Sequence, residues 1–338
     1  MKTIVLETPG QFQFTETAPP ERAEAGEALV RVRRVGICGT DLHAFRGRQP
    51  FFSYPRILGH ELGVEVLEVG ADVEGLRVGD RCAVEPYLNC GTCIACRRGR
   101  TNCCASLKVL GVHTDGGMRE VIRVPAHKLH RSETLSLEQL ALVETLGIGA
   151  HAVQRAQLEK GEFVLVIGAG PIGLGVMQFA QAAGAKVIAL DVNASRLRFC
   201  EQVLHIPHTV QAGEQALAQI RELTQGDLPT VVFDATGNSD SMHNAFNFLA
   251  PTGKLIFVGL FLGDVTFADP DFHRRELTLF ATRNSTTADF RHVLHQIESG
   301  IIDTKPWITH SASAEEMIPL FPSWLLPETG VIKAIVTF

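Results

Sequence analysis

The chain lacks a concentration of charge of either sign. Its 338 residues include 31 lysines and arginines and 37 aspartates and glutamates, giving a net charge of −6 without any long run of like charges. Proteins that bind nucleic acid or an anionic membrane present a basic patch to that partner. The sequence therefore predicts no nucleic acid and no membrane partner, and it favours a small-molecule substrate.

Long apolar runs are missing as well. No segment approaches the roughly 18 consecutive apolar residues of a membrane span. The opening sequence MKTIVLETPG predicts a strand rather than a signal sequence, because its apolar stretch is short and ends at a turn. Most of the eight cysteines are closely spaced, which without a secretory signal favours metal binding in a reducing compartment. We therefore expect a cytoplasmic protein.

The length of the chain and its hydrophobic content of 45% are enough for two cores, so we expect two domains. Up to about residue 130, short β-type runs alternate with Gly, Pro and Asp, a pattern typical of a partly open β-barrel. From Ser136 the pattern becomes helical, and the apolar, β-branched runs that follow are mostly separated by helical segments. Strands buried on both faces and joined by helices predict a doubly wound parallel sheet. The predicted fold class is α/β.

The predicted domain boundaries follow from these changes of pattern. A first domain covers residues 1–145, and the parallel sheet covers 146–282. Residues 283–338 contain two helical patterns and the closing strand IKAIVTF. A lone terminal strand needs a sheet to pair with, so we expect this segment to return to the first domain.

The segment GAGPIG follows a predicted strand and opens a predicted helix. Gly168 permits a tight turn, Gly170 lets the backbone approach a pyrophosphate, and Gly173 allows close packing of helix and strand. Pro171 and Ile172 complete the segment. The pattern predicts a site for a dinucleotide.

Asp191 supports this interpretation because it ends the next strand about 20 residues later, where a carboxylate accepts from both ribose hydroxyls. An aspartate there also repels a 2′-phosphate, which favours NAD over NADP. Arg196 and Arg198 follow closely, and an arginine near this point accommodates the phosphate, so NADP use stays open.

A cysteine-rich lobe of about residues 86–108 carries the spacing C-x2-C-x2-C-x7-C, which is suited to a tetrahedral zinc ion. Its predicted ligands are Cys90, Cys93, Cys96 and Cys104. Cys103 is an alternative fourth ligand in a shifted register. Four protein ligands leave no position for substrate, so we expect this zinc ion to be structural.

Two further segments, GICGTDLH at 36–43 and GHE at 59–61, carry a cysteine and a histidine that are each followed closely by an acid. The Cys38 thiol and the His60 imidazole suit zinc, and an incomplete ligand set makes the ion available for catalysis. We expect Asp41 to accept a hydrogen bond from the free ring nitrogen of His60.

With these segments in this order, the chain resembles the zinc-dependent medium-chain dehydrogenases, in the sorbitol and threonine dehydrogenase branch, over essentially its whole length. The resemblance implies a GroES-like catalytic domain and a Rossmann domain, one catalytic and one structural zinc ion, and NAD. It also implies a homodimer or homotetramer, formed through a sheet edge supplied by KLIFVGL and LTLFATR.

By the same resemblance, Cys38 and His60 bind the catalytic zinc ion, while Glu61 and Glu144 compete for the remaining protein contact. The branch usually has Glu-Pro where this chain has Glu144 followed by Thr145, which leaves the role of Glu144 open.

The expected proton path starts at Thr40, which would accept the hydrogen bond of the substrate hydroxyl, and continues through His43 toward solvent. The alternatives are a plain loop hydroxyl for Thr40 and a surface or ribose-contacting histidine for His43.

The stretch between the two catalytic segments is basic and aromatic. The pocket wall is expected to consist of Phe51, Phe52 and Tyr54. Arg46 or Arg48 would receive a carboxylate or hydroxyls. Arg283 falls where polyol dehydrogenases that resemble this chain place a substrate-contacting arginine. Alternatively, these arginines are solvated or bind cofactor phosphate.

Local segments such as QPFFSYPRILGHE and GRTNCC resemble the bacterial L-galactonate 5-dehydrogenase subgroup. This resemblance implies oxidation of a secondary hydroxyl of a sugar acid or polyol to a ketone. The alternatives are a polyol dehydrogenase, an L-threonine 3-dehydrogenase, or a non-catalytic NAD-binding sensor. Loss of a catalytic ligand would favour the sensor, and Cys38, His60 and Glu61 are all present.

Overall fold

The computed structural model describes residues 1–50 and 52–338 and divides the chain into two compact units. The first unit combines Met1–Thr145 with Thr286–Phe338, and the second consists of Leu146–Ser285. Phe51, which is predicted to line the pocket, lies outside the described residues.

The described strands are β1 (Lys2–Thr8), β2 (Gln11–Glu16), β3 (Glu27–Gly36), β4 (Glu61–Val69), β5 (Arg81–Val84), β6 (Tyr87–Leu88), β7 (Lys108–Val109), β8 (Val121–Pro125), β9 (Leu129–Arg131), β10 (Phe163–Ile167), β11 (Lys186–Asp191), β12 (His208–Gln211), β13 (Val231–Asp234), β14 (Lys254–Phe257), β15 (Thr278–Ala281), β16 (Ile308–Ser313) and β17 (Lys333–Thr337). The α-helices are α1 (Gly39–Phe45), α2 (Ile94–Arg97), α3 (Leu137–Ala156), α4 (Pro171–Ala182), α5 (Ala194–Gln202), α6 (Ala216–Leu223), α7 (Ser239–Asn244), α8 (Asp269–Arg274), α9 (Thr287–Glu298) and α10 (Ala314–Leu320). Short 3-10 helices cover Thr101–Cys103, Ala126–Lys128, Ala245–Phe248, Lys305–Trp307, Ser323–Leu325 and Pro327–Thr329.

The main sheet of the first unit has the strand order β16-β17-β3-β4-β5-β9, with β8 also paired to β3. Its pairs are antiparallel except β16 with β17. Along β3, Val30 and Val32 are buried while Arg31 between them is exposed. This period of two gives the strand one apolar face for the core.

The register of β3 and β4 brings the two predicted catalytic segments together. Gly36 at the end of β3 lies opposite Glu61 at the start of β4. Cys38 follows the first strand by two residues, and His60 immediately precedes the second. A Cβ atom at position 36 would lie 2.2 Å from Oε2 of Glu61, so the glycine leaves the space that this carboxylate occupies.

The closing strand β17 pairs with β3, where Ile335 lies opposite Gly36. This pairing provides hydrogen-bond partners for the backbone N–H and C=O groups of the terminal strand and brings the end of the chain to the same sheet. It also places Lys333, the first residue of β17, among the buried residues of the first unit.

The second unit contains a six-stranded parallel sheet of order β12-β11-β10-β13-β14-β15. Because β10 is its first strand in sequence, the order is 3-2-1-4-5-6, as in dinucleotide-binding doubly wound sheets. Leu165, Ile188 and Val232 are buried on its three central strands. The predicted α/β class, with a barrel-type domain and a Rossmann sheet, is confirmed.

Among the described residues, no helix combines the length and the apolar character that crossing a membrane requires.

Candidate functional site

The first cluster consists of Cys38, His60 and Glu61, whose donor atoms all lie within 4.8 Å of one another. Cys38 is half-buried at the N-cap of α1, while His60 and Glu61 are buried. A thiol, an imidazole and a carboxylate are zinc ligands, and three protein ligands leave one position open in a tetrahedral site. The residues present therefore fit the predicted catalytic zinc ion.

Asp41 fixes the start of α1 instead of orienting His60. Its Oδ2 atom accepts a hydrogen bond of 2.9 Å from the backbone N–H of Cys38. The predicted hydrogen bond from His60 is wrong, because Nδ1 of His60 and Oδ1 of Asp41 are 3.9 Å apart and neither has a hydrogen-bond partner among the described residues. Burial lowers the pKa of His60, but the negative charges of Cys38 and Asp41 outweigh it and raise that pKa well above its usual range.

Glu61 is held by two side chains from distant parts of the sequence. The Lys333 ammonium donates to Oε1 and Oε2 of Glu61, each at 2.7 Å, and the Thr145 hydroxyl also donates to Oε1. Burial raises the pKa of Glu61, but Lys333 and His60 lower it more, so the carboxyl is ionised at neutral pH.

Glu144 has a different environment. The Tyr87 hydroxyl donates to its Oε1 atom, and no lysine or arginine of the described residues lies within salt-bridge distance. Burial and the charge of Glu61 raise the pKa of Glu144. Of the two glutamates predicted to compete for the metal, the structure places Glu61 with Cys38 and His60.

Sequence reasoning missed Lys333 and Tyr87. A lysine in the otherwise apolar strand segment IKAIVTF was a usable signal, since a buried cation needs an anionic partner. Tyr87 offered no comparable signal, because its partner Glu144 is 57 positions away in sequence.

The second cluster is the cysteine lobe, where the thiols of Cys90, Cys93, Cys96 and Cys104 lie within 4.8 Å of one another. Cys103 is exposed and is not part of this group. The backbone N–H of Cys93 donates to the sulfur of Cys90 at 3.4 Å. Hydrogen bonds lower the pKa of the Cys90 thiol to about 5, and the bond from the Thr92 side chain has the largest effect. The four thiols fit a structural zinc ion.

The glycine-rich loop joins β10 to α4. Gly168 has φ +98°, a conformation that favours glycine, and Gly170 is the N-cap of α4. Pro171 begins the helix, followed by Ile172. A Cβ atom on Gly173 would lie 1.7 Å from the carbonyl oxygen of Gly168, so this turn requires glycine at position 173.

Asp191 ends β11 beside this loop. Its Oδ2 atom accepts from the backbone N–H of Ala169 at 2.6 Å, and its Oδ1 atom accepts from that of Asn193 at 2.7 Å. Arg196 reaches the same loop, because a Cβ atom on Gly170 would lie 3.7 Å from its Nη1 atom. An anionic group and a cationic group therefore flank the predicted phosphate turn.

Thr40 and His43 lie one helical turn apart on α1. Thr40 is half-buried and His43 is exposed. Burial and the charges of Arg46 and Arg48 lower the pKa of His43, so its ring is neutral at pH 7.

The predicted substrate residues occupy different positions. Arg46 is exposed, and its Nη2 atom donates to the carbonyl oxygen of Leu325 at 2.9 Å. Phe52 and Tyr54 pack edge to face with ring centroids 4.9 Å apart, and the Tyr54 hydroxyl donates to the carbonyl oxygen of Ala44. Arg283 is exposed and follows β15 in the second unit.

Two family models match the chain. The model described as "Alcohol dehydrogenase GroES-like domain" matches residues 24–134, and the one described as "Zinc-binding dehydrogenase" matches residues 171–299. They cover the barrel-type part of the first unit and most of the second unit.

Two curated relatives and one solved structure are similar over nearly the whole chain. L-galactonate-5-dehydrogenase of Escherichia coli K12 is 39% identical over 100% of this chain and 99% of its own length. Sorbitol dehydrogenase of Bacillus subtilis is 32% identical over 94% of this chain and 91% of its own length. The structure of the short chain alcohol dehydrogenase rspB of E. coli CFT073, complexed with NADH, is 31% identical with a TM-score of 0.93 over 100% of this chain and 99% of that one.

Proposed function

Because the chain belongs to the zinc-dependent medium-chain alcohol dehydrogenases, oxidoreductases that act on CH–OH groups, we propose that it oxidises a secondary hydroxyl of a sugar acid to a ketone with NAD as hydride acceptor. The full-length similarity to L-galactonate-5-dehydrogenase carries this proposal. The intact donor set of Cys38, His60 and Glu61 supports catalysis over a sensor role.

When bound by Cys38, His60 and Glu61, zinc supplies Lewis-acid activation of the hydroxyl, and NAD supplies the hydride acceptor. Thr40 lies on the first turn of α1, where its hydroxyl is proposed to accept the hydrogen bond of the substrate O–H. His43, one turn further and exposed, then carries the proton to solvent. Its lowered pKa supports this step, because a neutral imidazole has a nitrogen free to accept a proton.

We assign the dinucleotide to the loop Gly168–Gly173 and to Asp191. The backbone N–H groups at the start of α4 suit a pyrophosphate, and the Asp191 carboxylate suits the ribose hydroxyls. Arg196 is proposed to contact the phosphates, because its guanidinium lies beside Gly170.

The carboxylate of a sugar acid is proposed to pair with Arg46 or Arg48. The guanidinium of Arg46 uses one N–H on the Leu325 carbonyl and has further donors for an anion. Phe52 and Tyr54 are proposed to supply the apolar side of the pocket, with Arg283 as a further substrate contact. A polyol substrate is the second candidate, supported by the similarity to sorbitol dehydrogenase.

We further propose a cytoplasmic homo-oligomer. None of the eight cysteines, all among the described residues, forms a disulfide, which supports a reducing compartment. In the second unit β15 is an edge strand with Leu279 exposed, whereas β14, also predicted to contribute, is covered by β15. An exposed edge is available for pairing with a second copy.

The test is NADH formation, followed by absorbance, with L-galactonate, L-idonate, D-gluconate, sorbitol, galactitol, L-threonine and ethanol at equal concentrations. We expect turnover of a sugar acid to exceed that of the other compounds and to stop in the presence of a zinc chelator. Exclusive turnover of sorbitol or galactitol would replace the sugar-acid substrate by a polyol.

Cys38→Ser is the matched variant, because it removes one ligand and leaves the cysteine lobe intact. We expect it to abolish turnover while one of the two zinc ions per chain remains. Absence of turnover of every compound by wild-type protein that binds NAD and two zinc ions would contradict the proposed activity.

A further inference from the structure

The buried group around Glu61 contains a side chain that the proposed mechanism does not use. We propose that Thr145 is a positioning residue whose hydroxyl, together with the Lys333 ammonium, fixes the Glu61 carboxylate as the third protein donor of the Cys38–His60 centre. This inference rests on the proposed function, because it takes that centre to be the catalytic zinc site.

The direction of each hydrogen bond follows from donor chemistry. An ammonium only donates, and a threonine hydroxyl has a single proton. Lys333 lies 3.2 Å from Oγ1 of Thr145 and donates to it, so the hydroxyl proton is directed to Oε1 of Glu61. Lys333 also lies 3.2 Å from the carbonyl oxygen of Ile37, so its three protons serve four acceptors and one N–H is shared between two of them.

These bonds distinguish the two carboxylate oxygens. Oε1 of Glu61 accepts from Thr145 and from Lys333, which uses both of its lone-pair directions. Oε2 accepts from Lys333 alone and has one lone-pair direction left. Thr145 therefore orients the carboxylate so that a single oxygen remains available to a metal ion.

The group around the threonine hydroxyl is buried. Glu61 is 1% exposed, Thr145 1% and Lys333 2%. Among the described residues only Lys333 and Thr145 donate to Oε1 of Glu61, so removal of the hydroxyl leaves this oxygen with one partner fewer.

The experiment compares Thr145→Val, which keeps the shape without the hydroxyl, with Thr145→Ser, which keeps the hydroxyl. Thr145→Ala is a second hydroxyl-free variant should valine disturb folding. Thr304→Val is the matched control, because Thr304 is fully buried and its hydroxyl has no hydrogen-bond partner among the described residues. Zinc content and the dissociation constant of each zinc ion are measured by competition with a chelating chromophore, without NAD or substrate. The absorption spectrum of protein loaded with Co²⁺ at the Cys38 centre is recorded for each variant.

We expect Thr145→Val and Thr145→Ala to raise the dissociation constant of the Cys38 centre about 10- to 100-fold, the usual effect of losing an outer hydrogen-bond partner of a metal ligand. The Co²⁺ spectrum of these two variants should also change, while the dissociation constant of their cysteine lobe stays at the wild-type value. Thr145→Ser and Thr304→Val should keep the wild-type dissociation constants and spectrum. A folded valine or alanine variant with wild-type affinity and spectrum would overturn the role of Thr145. Wild-type protein with zinc only in the cysteine lobe would instead overturn the catalytic centre itself.

Discussion

At the residue scale, Asp191 holds the backbone of the fold and is also the proposed ribose-binding residue. Its two oxygens hold the backbone at Ala169 and Asn193, which joins the glycine-rich loop to the end of β11. Each oxygen keeps a second lone-pair direction for a ligand hydroxyl. A carboxylate at this point also repels a 2′-phosphate.

Replacement of Asp191 by serine should therefore shift cofactor preference. We expect kcat/KM for NAD to fall and kcat/KM for NADP to rise, with a change of at least tenfold in their ratio, since loss of a charge-assisted hydrogen bond costs about 1.5–3 kcal/mol. The ratio is measured from initial rates with the best substrate. Glu201→Gln, at an exposed position on α5, is the control. An unchanged ratio in Asp191→Ser would remove Asp191 from the ribose site.

The group of Cys38, His60 and Glu61 illustrates how far local sequence reaches. Cys38 and His60 were predictable because each lies in a short segment with a recognisable pattern. Lys333 was recognisable as a cation in an apolar strand, but its partner was not, because its contact with Glu61 joins residues 272 positions apart through the pairing of β17 with β3. The expected Asp41–His60 bond is absent because the cap of α1 fixes the carboxylate through Oδ2, and Oδ1 then lies 3.9 Å from Nδ1 of His60.

At the element scale, a buried ionic network joins parts of the first unit. Glu85 follows β5 and accepts from Lys128, from Nε2 of His130 on β9 at 3.1 Å, and from Thr287 at the start of α9 at 2.8 Å. Burial raises the pKa of Glu85, but the bonds from His130 and Lys128 lower it more, so its net value lies below 4.5. The network holds the returning segment to the barrel strands.

Glu85→Gln should destabilise the protein by about 3 kcal/mol at pH 7, because it leaves Lys128 buried without its anionic partner. The folded pKa of Glu85 is lower than the unfolded one. The contribution of Glu85 to stability is therefore complete above about pH 4.5 and is lost as the pH falls through the pKa of Glu85 in the folded state. Urea unfolding is measured from pH 7 to pH 3.5. The difference in free energy of unfolding between wild type and Glu85→Gln should stay constant down to about pH 4.5 and shrink below it.

Glu315→Gln is the comparison for this prediction, because the pair of Glu315 with Lys2 is half exposed. An exposed pair of this kind contributes little to stability, because solvent screens its charges. An equal effect of the two substitutions at pH 7 would contradict the structural role of the Glu85 network.

At the scale of the whole molecule, the order of strands in the second unit leaves β15 unpaired on one side among the described residues. Leu279 on this strand is 37% exposed, and Leu260 and Leu262 are 67% and 63% exposed on the segment after β14. Exposed apolar side chains and an edge strand support the proposed contact with a second copy of the chain.

Leu279→Lys should weaken the proposed homo-oligomer, because it places a charge where an apolar contact is expected. Light scattering after size exclusion should show a smaller average mass at micromolar concentration. Val78→Lys, at another exposed apolar position in the first unit, should leave the mass unchanged. If Leu279→Lys and Val78→Lys had the same average mass, the contact would lie elsewhere or the wild-type chain would be monomeric.

The sequence by itself predicted the two groups of potential metal ligands, the glycine-rich loop and the α/β class, because each depends on spacing within one strand, turn or helix. It left Cys103 open as a fourth ligand of the cysteine lobe, since neighbouring cysteines satisfy nearly the same spacing. Only the tertiary structure grouped Glu61, rather than Glu144, with Cys38 and His60 and revealed Thr145 and Lys333 beside Glu61. Those contacts depend on the register of β3 with β4 and β17, and register arises from the packing of whole strands, which no local pattern records.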